Sequence, residues 1–282
     1  MLKTKLSKWV LFGLFCFFIS SFAPGPATLP KDRIAVEAPF TNEWQALGNA
    51  AMPKVKLNRQ ALQFANRYIR NCNESLAIIR QRSKTPFTIM DSVFNRYGLP
   101  VELKYLAVIE SELRPSALSH VGALGPWQLM PEIAHDLGLK MSRGYDERTN
   151  YYKSTKAAAI YLKELYAQFG DWLLVLAAYN GGPRPIYTAI RRSGSRNFWV
   201  LQQYLPAETR GHVKRFIATH YYFEGQGGIT TLTKAEHIEY VKKVNALFAP
   251  AAGLYTTTGT DNASHHGNNS LPDWLSYTKQ KS

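Results

Sequence analysis

The sequence predicts an all-α protein. Apolar residues recur at helical spacing in segment after segment, as Leu62, Ala65, Ile69, Leu76 and Ile79 do. Those segments stop at glycines or start after capping side chains. No stretch alternates apolar and polar residues between turn signals, as a half-buried strand would. The chain has 282 residues, 45% of them apolar, so one sizeable core with extensions is within reach.

Residues 1–23 stand apart. Lys3, Lys5 and Lys8 precede an apolar run from Trp9 to Ile19, and Ser21-Phe22-Ala23 is a small-x-small site. That is the pattern of a secretory signal peptide, and if retained the run would serve as an N-terminal anchor giving membrane association. Cys16 follows the bulky Phe15, a poor setting for lipid attachment. Export places the protein in the periplasm or cell envelope. It also leaves Cys72 as the last cysteine, so no intramolecular disulfide forms.

Residues 24–56, rich in Pro and Ala, read as a linker or arm. Residues 57–98 read as a helical extension: one helix from Leu57 to about Arg82, then a shorter one from Phe87 to Tyr97 closed by Gly98. The main domain, 99–248, opens with LPVELKYLAVIESEL, in which Pro100 suits the first turn of a helix. Ser154 or Thr155 caps a helix that Gly170 ends, and Asp171 caps DWLLVLAAYN, which runs into Gly181-Gly182. Phe198 to Leu205, Thr209 to Phe223 and Thr233 to Phe248 read as helices too. Residues 249–282, rich in Thr, Ser, Gly and Asn, read as a disordered tail.

The formal net charge is +14, or +11 once Lys3, Lys5 and Lys8 are set aside. In an exported protein this favours an acidic wall polymer or anionic headgroup over nucleic acid. The sequence lacks a phosphate-cradling glycine loop, a G-x-S-x-G elbow and a His-Glu-x-x-His pair, and its seven histidines have no metal-ligand spacing.

One residue breaks the pattern. Leu103, Leu106, Ala107, Glu110 and Leu113 share a helical face, whereas Glu102 and Glu112 point away from it as solvated charges. A carboxylate on an apolar stripe is costly unless it is paired or protonated. Glu110 is therefore either paired, with Arg114 one turn on or a distant arginine, or placed in a cleft as a general acid. Other polar residues lie at helix ends and turns. Gln128 interrupts the PWQLM run, as a backbone bridge or a substrate contact. Tyr179 is a core residue or a sugar-binding wall, and Asn180 is a helix terminator or a substrate contact. Glu208 either serves a helix N-terminus or forms a second acidic site.

In order along the chain, IES (109–111), SHVGALGPWQLM (119–130), STKAAAIYL (154–162), DWLLVLAAYN (171–180) and LPAET (205–209) resemble the lytic transglycosylases related to goose-type lysozyme. The resemblance covers about residues 85–223 and is greatest to the D type, whose members also carry an upstream helical segment. It implies a lysozyme-like helical fold, no cofactor and no metal, a monomer, and peptidoglycan glycan strands as substrate. It also implies that Glu110 is the catalytic acid/base and that Ser111 supports it. Ser119, Gln128, Met130, Tyr179 and Glu208 would line the glycan cleft, with Asn180 in a partly structural role.

Two departures stand out. Arg184 occupies a position where the family commonly has glycine, and His212-Val213-Lys214-Arg215 replaces a common Tyr-Val-Pro-Lys. Both are expected to alter the rim and subsites rather than the chemistry. With one good carboxylate, the implied reaction is non-hydrolytic and gives 1,6-anhydro products. The rivals are a hydrolytic muramidase that recruits Glu208 or Asp146 as second carboxylate, a non-catalytic wall-binding scaffold, and a binder of anionic surfaces that acts through charge alone.

Overall fold

The structure is a computed structural model and describes residues 53–248. The leading segment 1–23, most of the arm and the tail from 249 lie outside the described residues. The described chain is helical, with ten α-helices and one two-stranded hairpin. Its helices are α1 Arg59–Arg82, α2 Lys84–Tyr97, α3 Tyr105–Ser111, α4 Pro131–Asp136, α5 Tyr151–Phe169, α6 Trp172–Gly181, α7 Pro183–Ser193, α8 Phe198–Leu201, α9 Ala207–Glu224 and α10 Lys234–Phe248. The hairpin pairs β1 Met141–Ser142 with β2 Tyr145–Asp146, antiparallel.

Helix α6 occupies the centre. Trp172 to Ala178 are all buried, so this helix is apolar on every side rather than on one stripe, the composition a fully enclosed helix requires. Helices α5, α7 and α9 pack around it, α2 covers α5, and α1 lies along α9. Ala61, Ile79, Met90 and Phe94 from the first two helices belong to the same buried cluster as Leu103, Trp127 and Leu174. Just upstream of α1, Val55 O accepts from Gly227 N at 2.9 Å, joining the chain there to the turn after α9.

The helix boundaries follow side-chain chemistry. Asn58 caps α1 by accepting from Ala61 N. Gly98 (φ 64°) and Gly170 (φ 60°) end α2 and α5 in the left-handed conformation that glycine adopts without strain. Asp171 caps α6 through Leu173 N and Leu174 N, and its second oxygen accepts from Lys234 N at 2.7 Å, so one carboxylate holds the starts of two helices.

Several sequence expectations need correction. The cap of α5 is Asn150, not Ser154 or Thr155. Both hydroxyls are buried inside the helix, bonding back to Asn150 O and Tyr151 O. The Glu110 segment is no single helix: Pro100 precedes a 3₁₀ turn, Val101–Lys104, and α3 is short, ending at Ser111. Leu113 is buried, but it reaches the core through a left-handed turn (Glu112 φ 54°, Leu113 φ 62°) rather than by helical phase. Glu102 is half-buried, and burial raises its carboxyl above the usual range, so it is not a freely solvated charge. The 198–205 segment is α8 followed by a 3₁₀ turn, Gln202–Tyr204. Helices α4 and α7 and the hairpin had no counterpart in the sequence reading.

Candidate active site

Glu110 lies in the last turn of α3, its side chain 14% exposed, among buried Leu106, Ala107 and Leu113. Its partner is neither Arg114 nor any other arginine. His212 Nε2, from α9, lies 2.8 Å from Glu110 Oε1, and the imidazole is 2% exposed. Arg114 instead donates to Ser111 O. His212 therefore belongs to the site itself, which corrects its assignment to the rim. The sequence held a usable signal. Thr209, His212, Val213, Phe216 and His220 are buried at helical spacing on α9, so His212 interrupts an apolar face as Glu110 does.

The loop from Arg114 to Met130 is tied to the residue after Glu110, and four of the predicted residues, Ser111, Ser119, Gln128 and Tyr179, brace it. Ser111 Oγ is buried and donates to Pro126 O at 2.9 Å, tying α3 to the loop. Tyr179, half-buried on α6, donates from its hydroxyl to Trp127 O at 2.7 Å. Burial, then the charge of Glu110, keeps the Tyr179 phenol well above its ordinary range, so it remains a donor. Gln128 adopts φ 47° and spends its side-chain N–H groups on Ala117 O and Gly125 O. Ser119 Oγ accepts from Ala123 N. Met130, half-buried and extended, immediately precedes α4. Asn180 is exposed at the end of α6. Glu208, in the first turn of α9, is exposed and paired with Arg215 at 2.6 Å. None of Ser119, Met130, Asn180 and Glu208 hydrogen-bonds to Glu110.

The sequence reading missed what anchors this loop. Arg148 is buried, and its Nη1 donates to Gly122 O at 2.8 Å and Leu129 O at 3.0 Å, while Asp146 takes up the rest of the guanidinium. The Arg148 hydrogen bonds hold the Asp146 carboxyl below its usual range. Trp127, fully buried, donates to Thr155 Oγ1 at 2.9 Å. Burying such a ring stabilises the fold by about 3 kcal/mol. Glu112, Leu113 and Gln128 are the non-glycine residues with positive φ among the described residues, and all three flank the Glu110 turn or sit in this loop. Such conformations cost roughly 1–3 kcal/mol each and persist where surrounding contacts impose them.

Residues 93–202, from the end of α2 through α8, match the family described as Transglycosylase SLT domain. Over that segment the chain is similar to an SLT domain. Outside that segment, α1 and α9 continue the same core. The chain is 33% identical over 186 residues to membrane-bound lytic murein transglycosylase D of Escherichia coli K12, an alignment covering 64% of this chain and 40% of the relative. It is 33% identical over 149 residues to the soluble lytic murein transglycosylase of the same organism, covering 47% of this chain and 22% of that one. The chain thus spans less than half the length of these relatives. The crystal structure of the 70 kDa soluble lytic transglycosylase of Escherichia coli aligns with a TM-score of 0.44 at 29% identity, over 51% of this chain and 26% of that one.

Proposed function

We propose that this protein is a peptidoglycan lytic transglycosylase in which Glu110 is the single acid/base. The observation that carries the reading is a partly exposed carboxylate on an SLT domain whose rivals are otherwise engaged. Asp146 is committed to buried Arg148, and Glu208 is an exposed carboxylate paired with Arg215 that makes no hydrogen bond to Glu110 or His212. A hydrolase would need such a second carboxylate.

The substrate is the glycan strand, cut between N-acetylmuramic acid and N-acetylglucosamine. Protonated Glu110 donates to the glycosidic oxygen, and the N-acetyl group of the muramic acid stabilises the developing positive charge. Ionised Glu110 then takes the proton of the same sugar's C6 hydroxyl as that oxygen closes on C1, giving a 1,6-anhydro ring. One carboxyl acts as acid and then as base, and the cycle uses no metal or organic cofactor. Ser111, Gln128 and Tyr179 act through the loop they brace. Ser119, Met130, Asn180 and Glu208 remain candidates for sugar and peptide contacts. This substrate places the protein in the cell envelope, in keeping with the export signature of residues 1–23. Among the described residues no helix is long and apolar enough to cross a membrane.

The test is a digest of purified peptidoglycan by the wild type and by Glu110→Gln, with products read by mass spectrometry. Anhydro-muropeptides from the wild type alone are expected. Reducing-end products would make it a muramidase, and wall binding without turnover would make it a scaffold.

A further inference from the structure

We propose that His212 is a positioning residue for Glu110: its Nε2–H donates to Glu110 Oε1 and thereby leaves Oε2 as the oxygen that carries and transfers the proton. The inference rests on Glu110 being the acid/base, and it assigns a task to a residue that lies outside the matched SLT segment.

It follows from hydrogen-bond accounting around a buried ring. His212 is 2% exposed, its Nε2 is 2.8 Å from Oε1, and its Nδ1 is buried with no partner among the described residues. Three protonation patterns are available to the imidazole. With the proton on Nδ1, a donor is buried facing no acceptor, and Nε2 must accept from Glu110, taking up the very proton the reaction needs. With both nitrogens protonated, the same orphaned Nδ1–H remains. With the proton on Nε2 alone, the one N–H is satisfied and only a lone pair goes unused. Orphaned buried N–H groups are the rarer defect, so this third pattern is favoured.

The bond then decides which carboxyl oxygen does the work. Oε1 is held by the ring, whereas Oε2 makes no hydrogen bond to any described residue. Neighbouring polar groups do not compete for the ring. Tyr179 on α6 spends its hydroxyl on Trp127 O, and Glu208 on α9 is held by Arg215. Nor is the ring free to swing away, because α9 is packed on one side by α6 and α3 and along another by α1.

Two measurements test this. The first is the ¹⁵N NMR spectrum of imidazole-labelled full-length protein, in the wild type and in Glu110→Gln, whose side-chain carbonyl can still accept. A single Nε2–H tautomer in both is expected. An Nδ1–H tautomer or a doubly protonated ring near neutral pH would overturn the assignment. The second is kinetic, on His212→Phe and His212→Gln, with melting temperature followed alongside. His212→Phe removes the donor and keeps the planar ring, so kcat is expected to fall roughly 10- to 100-fold with KM within about twofold. His212→Gln restores an N–H and should recover most of kcat. Equal kcat in both variants, or losses that follow melting temperature alone, would refute the positioning role while leaving the function intact. Wild-type protein that yields no anhydro products would refute the function, and with it this role.

Discussion

Gly125 offers the sharpest test of how the site loop is held. Its φ is +86°, and a Cβ built there would lie 2.0 Å from Arg148 O and 2.7 Å from Arg148 C, both backbone atoms. Neither can rotate away, because Arg148 is itself buried and held by three groups, Gly122 O, Leu129 O and the Asp146 carboxylate. For Gly125→Ala, the left-handed backbone costs about 1–2 kcal/mol and the forced contact about 1–3 kcal/mol more. Gly138→Ala is the control, since φ there is +79° and nothing lies within 4 Å of its Cβ. It carries the backbone cost without the collision, and the gain from stiffening the unfolded chain cancels between the two variants. Thermal unfolding should therefore show Gly125→Ala melting below Gly138→Ala by roughly 2–12 °C, the equivalent of the collision alone. Gly125→Ala should also lose peptidoglycan cleavage out of proportion to stability, because Gly125 O accepts from Gln128 and Gly125 N donates to Ala117 O. Equal melting temperatures for the two variants would refute the close approach of the loop to Arg148.

Three further predictions follow from the same geometry. Asp171→Ala removes the cap of α6 and the acceptor for Lys234 N, and should cost about 2–4 kcal/mol in urea unfolding; a loss near zero would mean the two helix starts are not joined through it. Burial pushes the His220 imidazole from 6.5 down to about 4, so its contribution is fully present above pH 6.5 and is lost as pH falls toward 4, a swing of about 3 kcal/mol that His220→Leu should flatten; an unchanged acid limb would contradict it. Tyr179→Phe leaves Trp127 O without its donor, which should cost about 1–2 kcal/mol and lower kcat roughly 10- to 100-fold through loop misplacement, to be checked by calorimetry and product release side by side.

The parts of this site that were legible in the sequence were those written locally. Glu110 stood out because a carboxylate occupied the phase of Leu103 and Leu106. Gly98, Gly170 and Asp171 marked helix ends because capping depends on residues within a turn of one another. What was not legible is non-local. The partner of Glu110 comes from 102 residues downstream. Arg148, which organises the loop, lies in a 3₁₀ turn, Glu147–Thr149, just after the hairpin, and that turn is too short for periodicity to register. Leu113 matched the stripe by spacing, yet it reaches the core after the helix has ended. Ser154 and Thr155 are good capping residues by type, but Asn150 takes the cap because the helix begins a turn earlier.

The packing of α1 along α9 has a practical corollary for how this protein is handled. The segment shared with the family, 93–202, excludes both helices. A fragment trimmed to those limits would expose the flanks of α3 and α6 that α9 covers, and it would discard His212 altogether. Its smallest autonomous unit is expected to begin before Asn58 and to run past the turn at Gly227, where Val55 closes the chain on itself. Family boundaries drawn from shared sequence and the boundaries at which a polypeptide can be cut are, in this molecule, different lines.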